Sequence, residues 1–166
     1  MPTLLAIPIL IFVLMIQTVI VGSLPLLSGT ADLVLLVLAA WSLQDRGRSA
    51  WLWTLLAGVM VGVISALPLL VPVIGYLAVT FIARMIRRRV WQTPILAMFV
   101  VTFTGSVLYQ ALVMGVLIFN GTPLPLLDSL NLVVLPGTLL NLLLALPIHA
   151  MVADLAQWVF PEGIEV

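Results

Sequence analysis

Six stretches of this chain stay apolar for about as long as a helix needs to cross a lipid bilayer, and nothing else in the sequence constrains the fold as strongly. Residues 4–21, 26–43, 51–67, 69–86, 93–119 and 130–159 each carry at most one charged side chain. A spanning helix needs about 20 mostly apolar residues, with about 17 as the lower limit. Inside lipid every backbone N–H and C=O must find a partner within the protein, so such stretches are expected to be helical. Only 7% of the 166 residues are charged and 64% are hydrophobic. A soluble domain carries roughly 25% charged residues, so this chain lacks the polar surface to sit in water. One polytopic domain, residues 1–166, is the expected organisation, an all-α membrane bundle of about six transmembrane helices.

Turn signals divide the runs. Gly22, Pro25 and Ser28-Gly29 end the first, and Gln44-Asp45-Arg46 ends the second. Pro68 and Pro72 punctuate the third and fourth, and Asn120-Gly121-Thr122-Pro123 ends the fifth. Pro136 and Pro147 predict a kink or a late start in the sixth. Residues 51–83 accommodate either two short spans or a re-entrant pair. The N-terminal run has no basic residue before it and no closely following small-x-small cleavage site, which favours a retained helix over a secretory signal.

The charges that exist are placed asymmetrically. All six basic residues are arginines, at 46 and 48 and at 84, 87, 88 and 89. Basic residues near spans stay on the cytoplasmic side, which puts an even number of crossings between the clusters. Counting outward predicts cytoplasmic N- and C-termini in a bacterial inner membrane, with segments 22–30, 67–72 and 120–129 outside, none of which holds Lys or Arg. Arg84, Arg87, Arg88 and Arg89 form a cytoplasmic basic surface suited to anionic lipid headgroups or an acidic partner.

Within the spans, small and polar residues recur at helical spacing. Thr54, Gly58, Gly62 and Ala66 step by four, as do Thr102, Ser106 and Gln110 with Gly105 and Tyr109 beside them. Gly137, Asn141, Ala145 and His149 do the same in the last run. Such stripes let backbones approach in lipid and let side chains hydrogen-bond across helices. Internal packing is the favoured reading, and docking of a partner's helix is the other. Gln17, Asp32, Gln110 and Asn131 fall at similar depth in the outer half. They either cap helix starts or line an outward-facing cavity, and for Asp32 the Gly29-Thr30-Ala31-Asp32 sequence favours an N-cap.

Catalytic chemistry finds little material. With no cysteine there is no thiolate, and the lone His149 excludes a multi-histidine metal site. Carboxylates such as Asp128, Asp154, Glu162 and Glu165 are scattered. No Gly-rich phosphate loop occurs. The expectation is a protein that is not an enzyme, without cofactor, metal or nucleic-acid partner.

Three segments carry a family resemblance: Gly29-Thr30-Ala31-Asp32-Leu33-Val34-Leu35-Leu36, Gly58-Val59-Met60-Val61-Gly62, and residues 135–147, which read Pro136-x4-Asn141-x5-Pro147. Together with length and order of spans they resemble MreD, the small membrane subunit of the bacterial rod-shape machinery. Ala31 stands where that family usually has proline, and the acid that commonly follows its Gly-x3-Gly stretch is missing from residues 63–67. The resemblance implies a non-enzymatic scaffold that pairs with MreC through a transmembrane helix and works with MreB, RodA and a class B penicillin-binding protein in lateral peptidoglycan synthesis. It also implies a fold similar to the substrate-binding components of energy-coupling-factor vitamin transporters. The alternative function is therefore that of a vitamin-type substrate-binding component. The Ala-x3-Ala docking pattern of those components is absent, because Leu10 follows Ala6. A lipid headgroup held between the last two helices is a third expectation.

Overall fold

A computed structural model describes residues 2–19, 29–44, 49–89, 93–123 and 125–159. The regular elements among them are helices: α1 (Pro2–Val19), α2 (Leu33–Leu43), α3 (Ala50–Ile64), α4 (Leu70–Arg87), α5 (Pro94–Phe119) and α6 (Leu126–Val159). Among the described residues, α4, α5 and α6 are long and apolar enough to cross a bilayer, and the apolar stretches of α1, α2 and α3 are shorter. The chain thus has the composition and helices of an all-α membrane protein.

The largest departure from the expected boundaries is α2. Its apolar run begins at residue 26, yet the helix starts at Leu33 because Asp32 caps it. Eleven residues rise only about 16 Å, roughly half the hydrocarbon thickness. Ten of those residues, Leu33 through Ser42, are buried without a break. A helix apolar on every side belongs in the middle of a bundle, and α2 packs against all five others. The other helices present large exposed side chains such as Phe12, Phe81, Phe103 and Leu143 on the outside, where lipid replaces water as solvent.

α3 and α4 form a tight antiparallel hairpin. A Cβ on Gly58 would lie 2.7 Å from Val73 Cα, and one on Gly62 3.1 Å from Leu69 Cα. These two glycines let the backbones touch, as small residues do in membrane packing. Ala66, the next step of that stripe, lies beyond the end of α3 and is exposed.

The last helix starts at Leu126, before its expected beginning, and runs on past Pro136. A π-helical stretch, Leu130–Val134, precedes the proline. Pro136 has no N–H, and its ring crowds the carbonyl four residues back, Leu132. Widening the helix there relieves the conflict, so the irregularity takes the form of a π-bulge.

Candidate functional site

Consecutive helices alternate in direction, so the late parts of α1, α3 and α5 meet the early parts of α2, α4 and α6 at one end of the bundle. At that end α2 begins inside the protein. The first N–H groups of any helix lack intrahelical partners, and inside a protein they need them from elsewhere. Here side chains supply them. Asp32 Oδ1 accepts from the Leu35 N–H at 2.9 Å, and Gln17 Oε1 of α1 accepts from the Val34 N–H at 3.1 Å.

The same Asp32 ties in three more helices. The Tyr76 hydroxyl of α4 donates to Asp32 Oδ2 at 3.0 Å and approaches Oδ1 at 3.3 Å. The Asp32 backbone N–H donates to Asn141 Oδ1 of α6 at 2.8 Å, and Asn141 Nδ2 donates to Ser106 Oγ of α5 at 2.8 Å. Tyr109 of α5 stacks on Tyr76 with ring centroids 5.1 Å apart. Gly75 leaves the space that the Tyr109 ring fills. The stretch entering α2 lies directly on α6, where a Cβ on Gly29 would fall 2.5 Å from the Gly137 nitrogen and 2.9 Å from Val133 O.

Beside this network lies a cavity of about 430 Å³ lined by all six helices. Its polar lining includes Gln17, Thr30, Asp32, Ser65, Tyr109 and Gln110, and Val113, Met114 and Leu117 supply apolar wall. Gln110 Oε1 is buried with no hydrogen-bond partner among the described residues. The volume lies in the range of small-molecule sites, about 300–1,000 Å³.

Of the outer-half cluster read from the sequence, Gln17, Asp32 and Gln110 come together here. Asn131 does not: it lies exposed on the π-helical stretch, away from the cavity lining. The spacing-four stripes turn inward. Gly58 and Gly62 face α4, Ser106 and Asn141 bond each other, Gly137 faces Gln110 and the Thr30 carbonyl, and Thr102 and Ala145 are fully buried. Thr54, in the first stripe, bonds Thr80 of α4 at 2.6 Å. His149 is partly buried, and its Nδ1 has no hydrogen-bond partner among the described residues.

Arg84, Arg87, Arg88 and Arg89 occupy the opposite end. Arg87 Nη1 donates to the Gln44 carbonyl at the end of α2 at 2.9 Å, Arg84 is partly buried, and Arg88 and Arg89 are exposed. Arg46 and Arg48 lie outside the described residues, as do Glu162 and Glu165. Sequence reasoning missed Tyr76. The available signal was a phenol in the middle of an apolar helix, since a buried Tyr hydroxyl usually finds a partner.

No site for metal is apparent: no group of three or more His, Asp or Glu side chains occurs among the described residues. Compared with protein-family models, curated proteins and solved structures, the chain matches none.

Proposed function

We propose that this chain is a non-enzymatic membrane scaffold of the MreD kind, pairing with MreC to organise lateral peptidoglycan synthesis and rod shape. One observation carries the reading. Two segments that bear the resemblance, residues 29–36 and 135–147, lie far apart in sequence yet meet through the 2.8 Å bond from the Asp32 N–H to Asn141 Oδ1. Their characteristic residues build an internal brace, which suits a protein whose task is to hold a shape for partners. The reading includes six crossings of a bacterial inner membrane with both termini cytoplasmic. It also includes a bundle similar to the substrate-binding components of energy-coupling-factor transporters. Arg88 and Arg89 would meet anionic lipids, with MreB, RodA and a class B penicillin-binding protein as further partners.

Because Gly58, Gly62, Ser106 and Asn141 are used internally, this reading puts the MreC helix on the lipid-facing surface. Co-expression with MreC and purification in mild detergent should recover both chains. A photo-crosslinker at Phe12, Phe81 or Leu143, all exposed, should trap MreC from at least one position. Absence of both co-purification and crosslinks in cells rejects the scaffold.

The cavity favours one second reading, a substrate-binding transport component. Native mass spectrometry of the chain taken from its own membrane should then show a tightly held vitamin-sized molecule, and an empty spectrum sets that reading aside.

A further inference from the structure

We propose that the cavity at the start of α2 binds an organic ammonium ion, its charged nitrogen on Asp32 and its apolar body along α5. Such a site serves a scaffold and a transport component alike and rests on neither functional reading.

Three observations carry it. The first is Asp32, which lines the cavity and is partly accessible. Its carboxylate accepts from the Leu35 N–H at 2.9 Å and from the Tyr76 hydroxyl at 3.0 Å. The neighbouring Val34 N–H is taken by Gln17. A carboxylate offers about four lone-pair positions, so these bonds leave acceptor capacity for the N–H groups of an ammonium, and bonds of that kind are strong.

The second is charge balance. No arginine or histidine lines the cavity, and the chain has no lysine. The segments that join helices at this end, residues 20–32, 65–69 and 120–125, contain no basic side chain either. On α4 the first arginine comes eight residues after Tyr76, about 12 Å along the axis. The N-terminus of α2 supplies only about half a unit of positive charge. A carboxylate within a membrane bundle is costly while it lacks a full countercharge. A cation entering the cavity lowers that cost, and an anion raises it.

The third is the rest of the wall. A hard metal ion asks for about six to eight oxygen ligands, whereas Val61, Val113, Met114 and Leu117 make much of this lining apolar. A cavity of about 430 Å³ has room for a carbon body behind the charge. Tyr109, partly exposed and stacked on Tyr76, adds an aromatic ring next to the carboxylate's own partner, and aromatic faces attract ammonium groups. Val113 and Leu117 follow Tyr109 at four and eight residues, on one face of α5. They lead from the polar groups towards Phe119, where α5 ends, and give the apolar body its track.

The test uses the full chain in an uncharged maltoside detergent at neutral pH, with affinity read by isothermal titration calorimetry. 2-Phenylethylamine, protonated under these conditions, 2-phenylethanol and 3-phenylpropanoate share an aromatic body and differ in charge. The ammonium is expected to bind about tenfold tighter than either of the others, a difference of about 1.4 kcal/mol. Asp32→Asn removes the charge and keeps an oxygen for the Leu35 and Tyr76 donors. It should weaken ammonium binding about tenfold and leave the alcohol's affinity unchanged, while far-UV circular dichroism keeps the wild-type helicity. Should Asp32→Asn fail to fold, the order of the three probes on the wild-type chain still decides. No measurable ammonium binding, binding of the alcohol or the carboxylate as tight as the ammonium, or wild-type ammonium affinity in Asp32→Asn overturns the proposal. Phosphatidylethanolamine added to the micelles, with phosphatidylcholine as the control that has no N–H groups, separates the sources. Competition beyond the control assigns the ammonium to a bilayer lipid and its absence to a soluble amine, and both results uphold a cation site.

Discussion

The two ends of α2 solve the same problem in opposite ways. At its C-terminal end the solution is packing. Trp41 and Trp53 stack with centroids 4.3 Å apart and a 14° interplanar angle, both fully buried. Thr80 joins Thr54 at 2.6 Å and accepts from Ser42 at 3.5 Å, and Arg87 closes the end through the Gln44 carbonyl. Even the two indole N–H groups have no hydrogen-bond partner among the described residues, a cost of about 1–3 kcal/mol each that the contacts around them must exceed. At its N-terminal end the solution is hydrogen bonding. Asp32 and its partners tie five helices together beside an open volume of about 430 Å³. Dense packing makes one end rigid; directed polar bonds let the other hold its shape while keeping space.

That contrast can be broken by experiment, with unfolding in detergent as the readout. The largest effect is expected for Trp41→Ala at the packed end, about 3–5 kcal/mol, the usual range for truncating a buried aromatic. A loss below about 1 kcal/mol would mean that this end is not held by packing.

Asp32→Ala comes next, at about 2–4 kcal/mol. The lost N-cap accounts for about 1 kcal/mol and the orphaned Tyr76 hydroxyl for about 1–3 kcal/mol. Asp32→Asn keeps an oxygen for both donors and should stay within about 1 kcal/mol of wild type. Equal losses in the two variants would show that charge, and not hydrogen bonding, organises this end.

Adding volume should sort the ends directly. Ala83→Phe enlarges a fully buried position near the arginines and should cost about 1–3 kcal/mol or more through overpacking. Val113→Phe projects into the cavity and should change stability by less than about 1 kcal/mol. Similar losses at both would erase the distinction. A small effect is expected for Thr80→Val, which removes the Thr54 bond and the longer contact from Ser42 and should cost about 0.6 kcal/mol per bond, the average for such bonds in membrane bundles.

The sequence carried the site unevenly. Asp32 was legible because Gly29-Thr30-Ala31-Asp32 before an apolar run is a local N-cap pattern, and the cap bond to Leu35 lies only three residues away. Gln17 and Gln110 were legible by depth alone, since polar residues at matching depth have few alternatives to one another in lipid. Depth failed for Asn131, because the π-helical stretch before Pro136 alters which residues of α6 face inward. Tyr76 was legible only as a phenol within an apolar helix that needs some partner, and which partner it meets depends on a carboxylate 44 residues earlier.

Local chemistry was enough to determine a chain with the character of a membrane protein, helical in the regular elements of its described residues. The hydropathy of a run and the chemistry of its ends act over one or two helical turns, so they can be read directly. The tertiary structure decided what depends on distant partners. It fixed the shortness of α2, the inward use of Gly58, Gly62 and Asn141, and the cavity beside Gln110. In lipid all apolar faces are nearly equivalent, so hydrophobicity alone does not select neighbours. Close backbone approach and the few available hydrogen bonds make that choice, and they exist only once the helices have assembled.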